Sequence, residues 1–227
     1  MLTIFIYKNN IMQTSTARIE TFSDGVIAII LTIMILELKI PDFKTSRNEY
    51  NISHHLFNVL PHFAAYVFSF VMVGILWVHH HYLFNLLERT DNFLLGQNLF
   101  FLFWMSLIPF VTGNMGANPL LPISTALYGW VMLMTTVSLA WMRSHTINKK
   151  LVHTDEERIV KKKLLNLSLK ERNQSFISSA VYLISIPVAY VSVYISYLCF
   201  LVPVILFLIP SSLDEESIAN KIIQKNN

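Results

Sequence analysis

Three stretches of this chain contain no Asp, Glu, Lys or Arg: Tyr50 to Leu87, Asn92 to Met142 and Asn173 to Leu213. One bilayer crossing takes about 20 mostly apolar residues, so each stretch has room for one or two spans. The rest of the composition agrees. Only 14% of the 227 residues are charged, against roughly 25% in soluble domains, and 54% are hydrophobic. A chain of this kind is an all-α integral membrane protein.

The runs divide into six expected transmembrane helices. The first covers about Thr16 to Leu38 and stops before Pro41, which disfavours helix in the residue preceding it. The second runs from about His54 to Leu87, with Pro61 near its start, where proline is tolerated. ERTDN is a short turn, and the third helix spans Phe93 to Thr112. GNMGANPLLP, with two glycines and two prolines, reads as a tight connection to a fourth helix over Ile123 to Met142. Arg143 to Arg172 is the one long hydrophilic segment, either an amphipathic cytoplasmic helix with KKK near the membrane or a solvated linker. Helices five and six follow over Ser175 to Val193 and Tyr194 to Ile209, carrying Pro187 and Pro203. The expected domains are an amino-terminal tail (1–15), a six-helix membrane domain (16–213) and a carboxyl-terminal tail (214–227). Met12 is a second candidate start.

Six crossings put both termini on one side. That side then holds fourteen Lys and Arg residues and the opposite side only Lys39, Lys44 and Arg47. Cytoplasmic loops carry the excess of positive charge, so both termini are predicted cytoplasmic in a multi-pass protein of the cell membrane. The net charge of +3 gives no reason to expect nucleic acid.

Within this frame the polar head of the first helix, Arg18 to Gly25, stands out. An ionisable residue such as Asp24 at the mouth of an apolar span is costly unless paired. The stated orientation puts Arg18, Ser23 and Asp24 at the inner leaflet, together with Trp77, His79, His80, His81 and Tyr82 at the end of helix two. Asp91, Gln97 and Asn98 begin helix three at the same depth. A buried hydrogen-bonded network is expected, with Asp24 accepting from a histidine, from Asn98 or from Arg18, and Ser23 and Trp77 as lesser members. Such a network serves either as packing glue or as a proton relay.

Other chemistries find little support. Successive helical residues are about 100° apart, so His79, His80 and His81 cannot all face one ion, and no HExxH is present. No metal site and no cofactor are expected. His54, His55 and His62 lie toward the other face as interfacial residues. Ser23 follows Phe22, Gly-x-Ser-x-Gly is missing, and the single Cys199 excludes a thiolate cluster. Nothing points to an enzyme. No second FSDG step marks an inverted repeat.

The apolar body of helix one offers a different possibility. Ile29, Ile33 and Leu36 fall at i, i+4, i+7 and form one stripe, with Thr32 beside it and Gly25 at its inner end. The ordinary interpretation is a core or lipid-facing stripe. The sharper one is a pore, in which copies of helix one around an axis present stacked apolar rings that gate by dewetting. No TVGYG-like carbonyl filter occurs, so selectivity would rest on those side chains.

The head of the same helix, Arg18-Ile-Glu-Thr-Phe22-Ser23-Asp24-Gly25, resembles the R-x-x-x-F-S-D-G signature of the transmembrane protein 175 family. That family comprises the endolysosomal potassium channel and its bacterial relatives. Trp77-x-x-His80-His81 is similar to the family's step ending helix two, and Asn98 through Pro109-Phe110 to its third helix. Helices four to six match only in hydropathy. Tyr82 stands where a basic residue is expected.

The resemblance implies a homotetrameric potassium channel, modestly selective over sodium, whose first helices line the pore within the lipid bilayer. It also implies a constriction at Ile29, a selectivity-linked threonine at Thr32 and outer rings at Ile33 and Leu36. The signature residues would hold helix one to its neighbours. The rival expectation from the residues alone is a proton-coupled carrier using Asp24 and the histidines, and the third is an enzyme or a non-conducting scaffold, for which the sequence offers no positive feature.

Overall fold

The computed structural model describes residues 16–38, 49–87, 89–149, 151 and 158–208, with the side chains of 49–58 and 158–164 left aside. Expectations about the tails, Met12, the Lys161–Lys163 side chains, His54 and His55 lie outside the described residues. The architecture is all-helical: α1 (Thr16–Ile33) with a tightened 3-10 end (Met34–Glu37), α2 (Glu49–Asn85), α3 (Asn92–Ser106), α4 (Ile108–Ala117), α5 (Pro122–Asn148), α6 (Arg158–Val191) and α7 (Val193–Leu208). Among the described residues, five helical stretches are long and apolar enough to cross a membrane: Thr16–Glu37, Val59–Asn85, Asn92–Ala117, Pro122–Asn148 and Leu165–Val191; α7 is a shorter apolar helix. The protein is a multi-pass membrane protein.

Five boundaries differ from those expected. Helix α2 starts earlier, so Pro61 lies in its interior; in membrane helices the freed backbone groups find other partners. The third span is two helices. Pro109 lacks the N–H that would continue α3, and the chain restarts with this proline in the first turn of α4. The glycines of GNMGANPLLP are helical, because α4 runs to Ala117 and only a few residues remain for the turn. Gly116 is what this packing needs, since a Cβ there would lie 2.8 Å from the His62 Cα. Finally, α5 continues past Met142 to Asn148, and α6 runs unbroken from Arg158 into the fifth span. Arg143 is therefore not part of a polar linker.

In lipid the apolar side chains gain little from helix association, so packing and interhelical hydrogen bonds carry it. The sequence supplies both. Helix α6 turns Ser168, Glu171, Ser175, Ser178, Tyr182 and Ser185 inward, a helical stripe of mostly small residues that lets α5 approach closely. Ser179 Oγ donates to Thr136 Oγ1 across that contact at 2.9 Å. On the other side, α1 packs against α2 and α3, and α2 against α4. Ser69 joins the halves, with its Oγ 3.1 Å from the Tyr128 hydroxyl and 2.8 Å from Thr112 Oγ1.

The candidate pore helix and its anchor

Helix α1 has two faces. Ile19, Ser23, Ile27, Ile30 and Met34 are buried against the rest of the subunit. Phe22, Gly25, Ile29, Thr32, Ile33 and Leu36 face outward, with Ile29 57% and Leu36 72% exposed. Gly25 has open space around it: an added Cβ would meet nothing within 4 Å. The Thr32 hydroxyl donates to the Ile29 carbonyl at 2.8 Å, so its oxygen lone pairs remain available on the outward face. A shallow groove beside this stripe, between α1 and the α3–α4 break, is lined by Ile29, Ile33, Ser106 and Phe110.

The anchor is built at the Arg18 end. His80 Nε2 lies 2.8 Å from Asn98 Oδ1, Asn98 Nδ2 donates to Ser23 Oγ at 2.8 Å, and Ser23 Oγ donates to the Ile19 carbonyl at 2.8 Å. With Asn98 in this orientation its oxygen accepts, which puts the His80 proton on Nε2. The chain links α2, α3 and α1 in one line, and His80, Asn98 and Ser23 are all 0% exposed. The His80 ring stacks between Phe84 and Phe101, with centroids 4.5 and 5.3 Å away.

Asp24 stands apart from that chain. It was expected to accept from a histidine, Asn98 or Arg18; its oxygen Oδ1 accepts instead from Trp77 Nε1 at 2.8 Å. A half-buried carboxylate at the helix surface meets α2, not α3, because Ser23 takes the face toward Asn98. Arg18 and Phe22 are exposed. His81 Nδ1 lies 3.1 Å from Glu20 Oε1, its Nε2 2.9 Å from Asn85 Nδ2, and its ring stacks on Trp77.

The three consecutive histidines thus serve three different interfaces. His79 turns to the far side, with Nε2 3.3 Å from the Phe207 carbonyl of α7 and Nδ1 3.8 Å from Glu171 Oε1. Arg143 completes that cluster. Its guanidinium donates to the His79 carbonyl at 2.9 Å and pairs with Glu171 Oε2 at 2.5 Å. Sequence reasoning missed this pair because both residues fall in the hydrophilic segment. The available signal is that Glu171 shares the buried helical face of Ser168, Ser175 and Ser178.

Asp91, between the second and third spans, was also undervalued. Its side chain caps α3 by accepting from the Leu94 N–H at 2.7 Å and meets His145 Nε2 at 2.8 Å. Partial burial alone would raise its pKa, but these bonds and the His145 charge outweigh it and hold the carboxyl below its ordinary range.

Both the sequence and the fold have known relatives. The profile of the endosomal/lysosomal potassium channel TMEM175 matches residues 18–109, the stretch containing anchor and stripe. A potassium channel of Chryseobacterium sp. (strain P1-3) is 34% identical over 169 residues, covering 74% of this chain and 80% of that one. The chain belongs to the TMEM175 family. Its fold is similar to the crystal structure of a lysosomal potassium-selective channel TMEM175 homolog from Chamaesiphon minutus, with TM-score 0.73 and 25% identity over 86% of this chain and 98% of that one. Among animal TMEM175 proteins, the human endosomal/lysosomal proton channel is 43% identical over 75 residues, 31% of this chain and 15% of its own. Membership supports a channel function.

Proposed function

We propose that the protein is a potassium-permeable cation channel, modestly selective over sodium, assembled as a homotetramer with four α1 helices around the conduction path. The observation that carries this reading is the outward stripe of Ile29, Thr32, Ile33 and Leu36 on a helix whose inner face is pinned by Ser23 and Asp24. A lone subunit leaves that stripe to lipid; four copies turn it into stacked rings. The Ile29 ring is the constriction, narrow and apolar enough to gate by dewetting. Thr32 supplies oxygens next to it, and Ile33 and Leu36 line the outer part.

The bacterial relatives are named potassium channels, which supports potassium as the permeant ion. The shorter α7 is the sixth span of the subunit. With six spans both termini are cytoplasmic in the cell membrane, and the excess of Lys and Arg on that side supports this even without Arg143. Arg18, Phe22, Ser23, Asp24, Gly25, Trp77, His80, His81 and Asn98 act as the framework that sets α1 and make no contact with the ion.

Purified protein in liposomes should pass potassium, with sodium substitution reducing the flux, and Ile29→Asn should increase leak. Silence of the wild type at all voltages and pH values, together with no effect of Ile29→Asn, overturns the pore assignment. A second reading is a proton-coupled carrier using Asp24 and the histidines. It is favoured by the continuous His80–Asn98–Ser23 chain and by the name proton channel borne by the animal relatives. Single-channel current steps exclude it; saturable flux with obligate proton coupling supports it.

A further inference from the structure

Glu20, Asp24 and His81 converge at the Arg18 end of α1. One potential ligand atom from each lies within 4.8 Å of the other two. Glu20 and Asp24 are four residues apart and project side by side from α1, an arrangement of like charges that costs a helix stability unless something compensates. His81 comes from α2, so three donors from two helices close on one point. We propose that this point is a binding site for a divalent transition-metal ion of the zinc or cobalt class, cross-linking α1 to α2.

The chemistry of the donors selects the ion. Two carboxylates and one imidazole suit zinc and its neighbours, whereas magnesium and calcium prefer all-oxygen shells. Three protein ligands also leave a fourth position for water, as in open zinc sites. At metal–ligand distances of about 2.0–2.2 Å, tetrahedral donors stand roughly 3.3 Å apart. His81 Nδ1 and Glu20 Oε1 already stand at 3.1 Å, and side-chain rotation of Asp24 closes the remainder.

Asp24 is already held from behind, as metal ligands usually are. Trp77 Nε1 holds Asp24 through Oδ1, leaving Oδ2 for the ion. The Asn85 amide nitrogen lies 2.9 Å from His81 Nε2; metal binding at Nδ1 requires this amide to turn by about 180°, so that its oxygen accepts the Nε2 proton and the Nδ1 lone pair is free for the ion. Trp77 stacking on the imidazole fixes the ring plane. A plain Glu20–His81 ion pair with Asp24 tied only to Trp77 is the alternative that the experiment below separates from a metal site.

The site does not depend on the protein conducting. The test is a titration of the tag-free, full-length protein in detergent with zinc, followed by calorimetry, and with cobalt, followed by its visible absorption. Wild type should bind one ion per chain and unfold at a higher temperature in zinc. Glu20→Gln and His81→Gln should each weaken binding at least tenfold, and Asn85→Leu by 10–100-fold. Metal-free melting of each variant checks that it is folded. The absence of saturable binding by wild type, or wild-type affinity in both Glu20→Gln and His81→Gln, overturns the proposal, the latter because the ion then sits on other histidines.

Discussion

Arg143 and Glu171 face each other across the α5–α6 contact with their charged atoms 2.5 Å apart and their side chains 1% and 3% exposed. Removing one partner of a buried pair leaves an uncompensated charge and costs about 3–5 kcal/mol, whereas replacing both by apolar residues of similar volume is often neutral or better. Arg143→Met or Glu171→Leu alone should therefore lower the unfolding temperature sharply. The double variant should recover most of the loss. Thermal unfolding of the three proteins in detergent measures this, and an equal loss in the double variant refutes the pairing argument.

Asn98 is the hinge of the anchor, since its amide serves both His80 and Ser23. Asn98→Leu strands the buried His80 nitrogen, at about 1–3 kcal/mol for an unpaired buried group. Trp77→Phe removes only the bond to the half-buried Asp24, which water can replace, and should cost less. Chemical or thermal unfolding of the two variants gives the order; the reverse order rules out Asn98 as the main tie.

The two glycines of α4 separate two kinds of crowding. A Cβ at Gly113 would overlap the end of the Glu37 side chain, which can swing away, but at Gly116 it would meet the His62 backbone. Gly113→Ala should be close to neutral or slightly stabilising, given the better helix propensity of alanine. Gly116→Ala should destabilise by about 1–3 kcal/mol, the usual cost of overpacking. Paired melting curves decide it.

Asp91 gives a pH dependence with a definite sign. Its folded pKa is below its ordinary value, so the unfolded chain binds the proton more readily. Its stabilisation is complete above the unfolded pKa of about 4 and disappears as pH falls through the lower folded value. Asp91→Asn keeps a capping residue but removes the titration. The acid side of its stability profile should be flatter than that of wild type below about pH 4. Unfolding temperatures across an acid series check this.

Gly25 probes the assembly. Within one subunit it has room for a larger residue. If four α1 helices meet, that space is occupied by a neighbouring copy. Gly25→Leu should then leave the subunit folded while lowering the proportion of tetramer in native mass spectra; an unchanged proportion argues against α1 as the central element.

Membrane class, the places of the first five spans and the meeting of helices one, two and three were legible because each rests on a local pattern. The charge-free runs announce spans, and an FSDG step at a span mouth announces buried polar groups. What was not legible depends on rotation about a helix axis. Whether Asp24 or Ser23 faces Asn98 differs by one residue, about 100°, and polar residues lie on both sides. Arg143 and Glu171 were hidden for another reason: hydrophilic composition suggests solvent, but two antiparallel helices can bury opposite charges against each other. The break at Pro109 was visible as a proline, yet in lipid Pro61, Pro187 and Pro203 leave their helices continuous, so proline alone does not mark an end.

The histidine triplet carries a further consequence. Because His79, His80 and His81 are consecutive yet engage different neighbours, the run tolerates a slip of one residue better than a single histidine would. An insertion between Gly74 and Trp77 would bring Val78 to the His79 position but still set histidines against Asn98 and Glu20; a deletion would bring Tyr82 to the His81 position and still set histidines toward Arg143 and Asn98. Trp77 has no such understudy: either slip takes the indole away from Asp24 and leaves an apolar residue in its place.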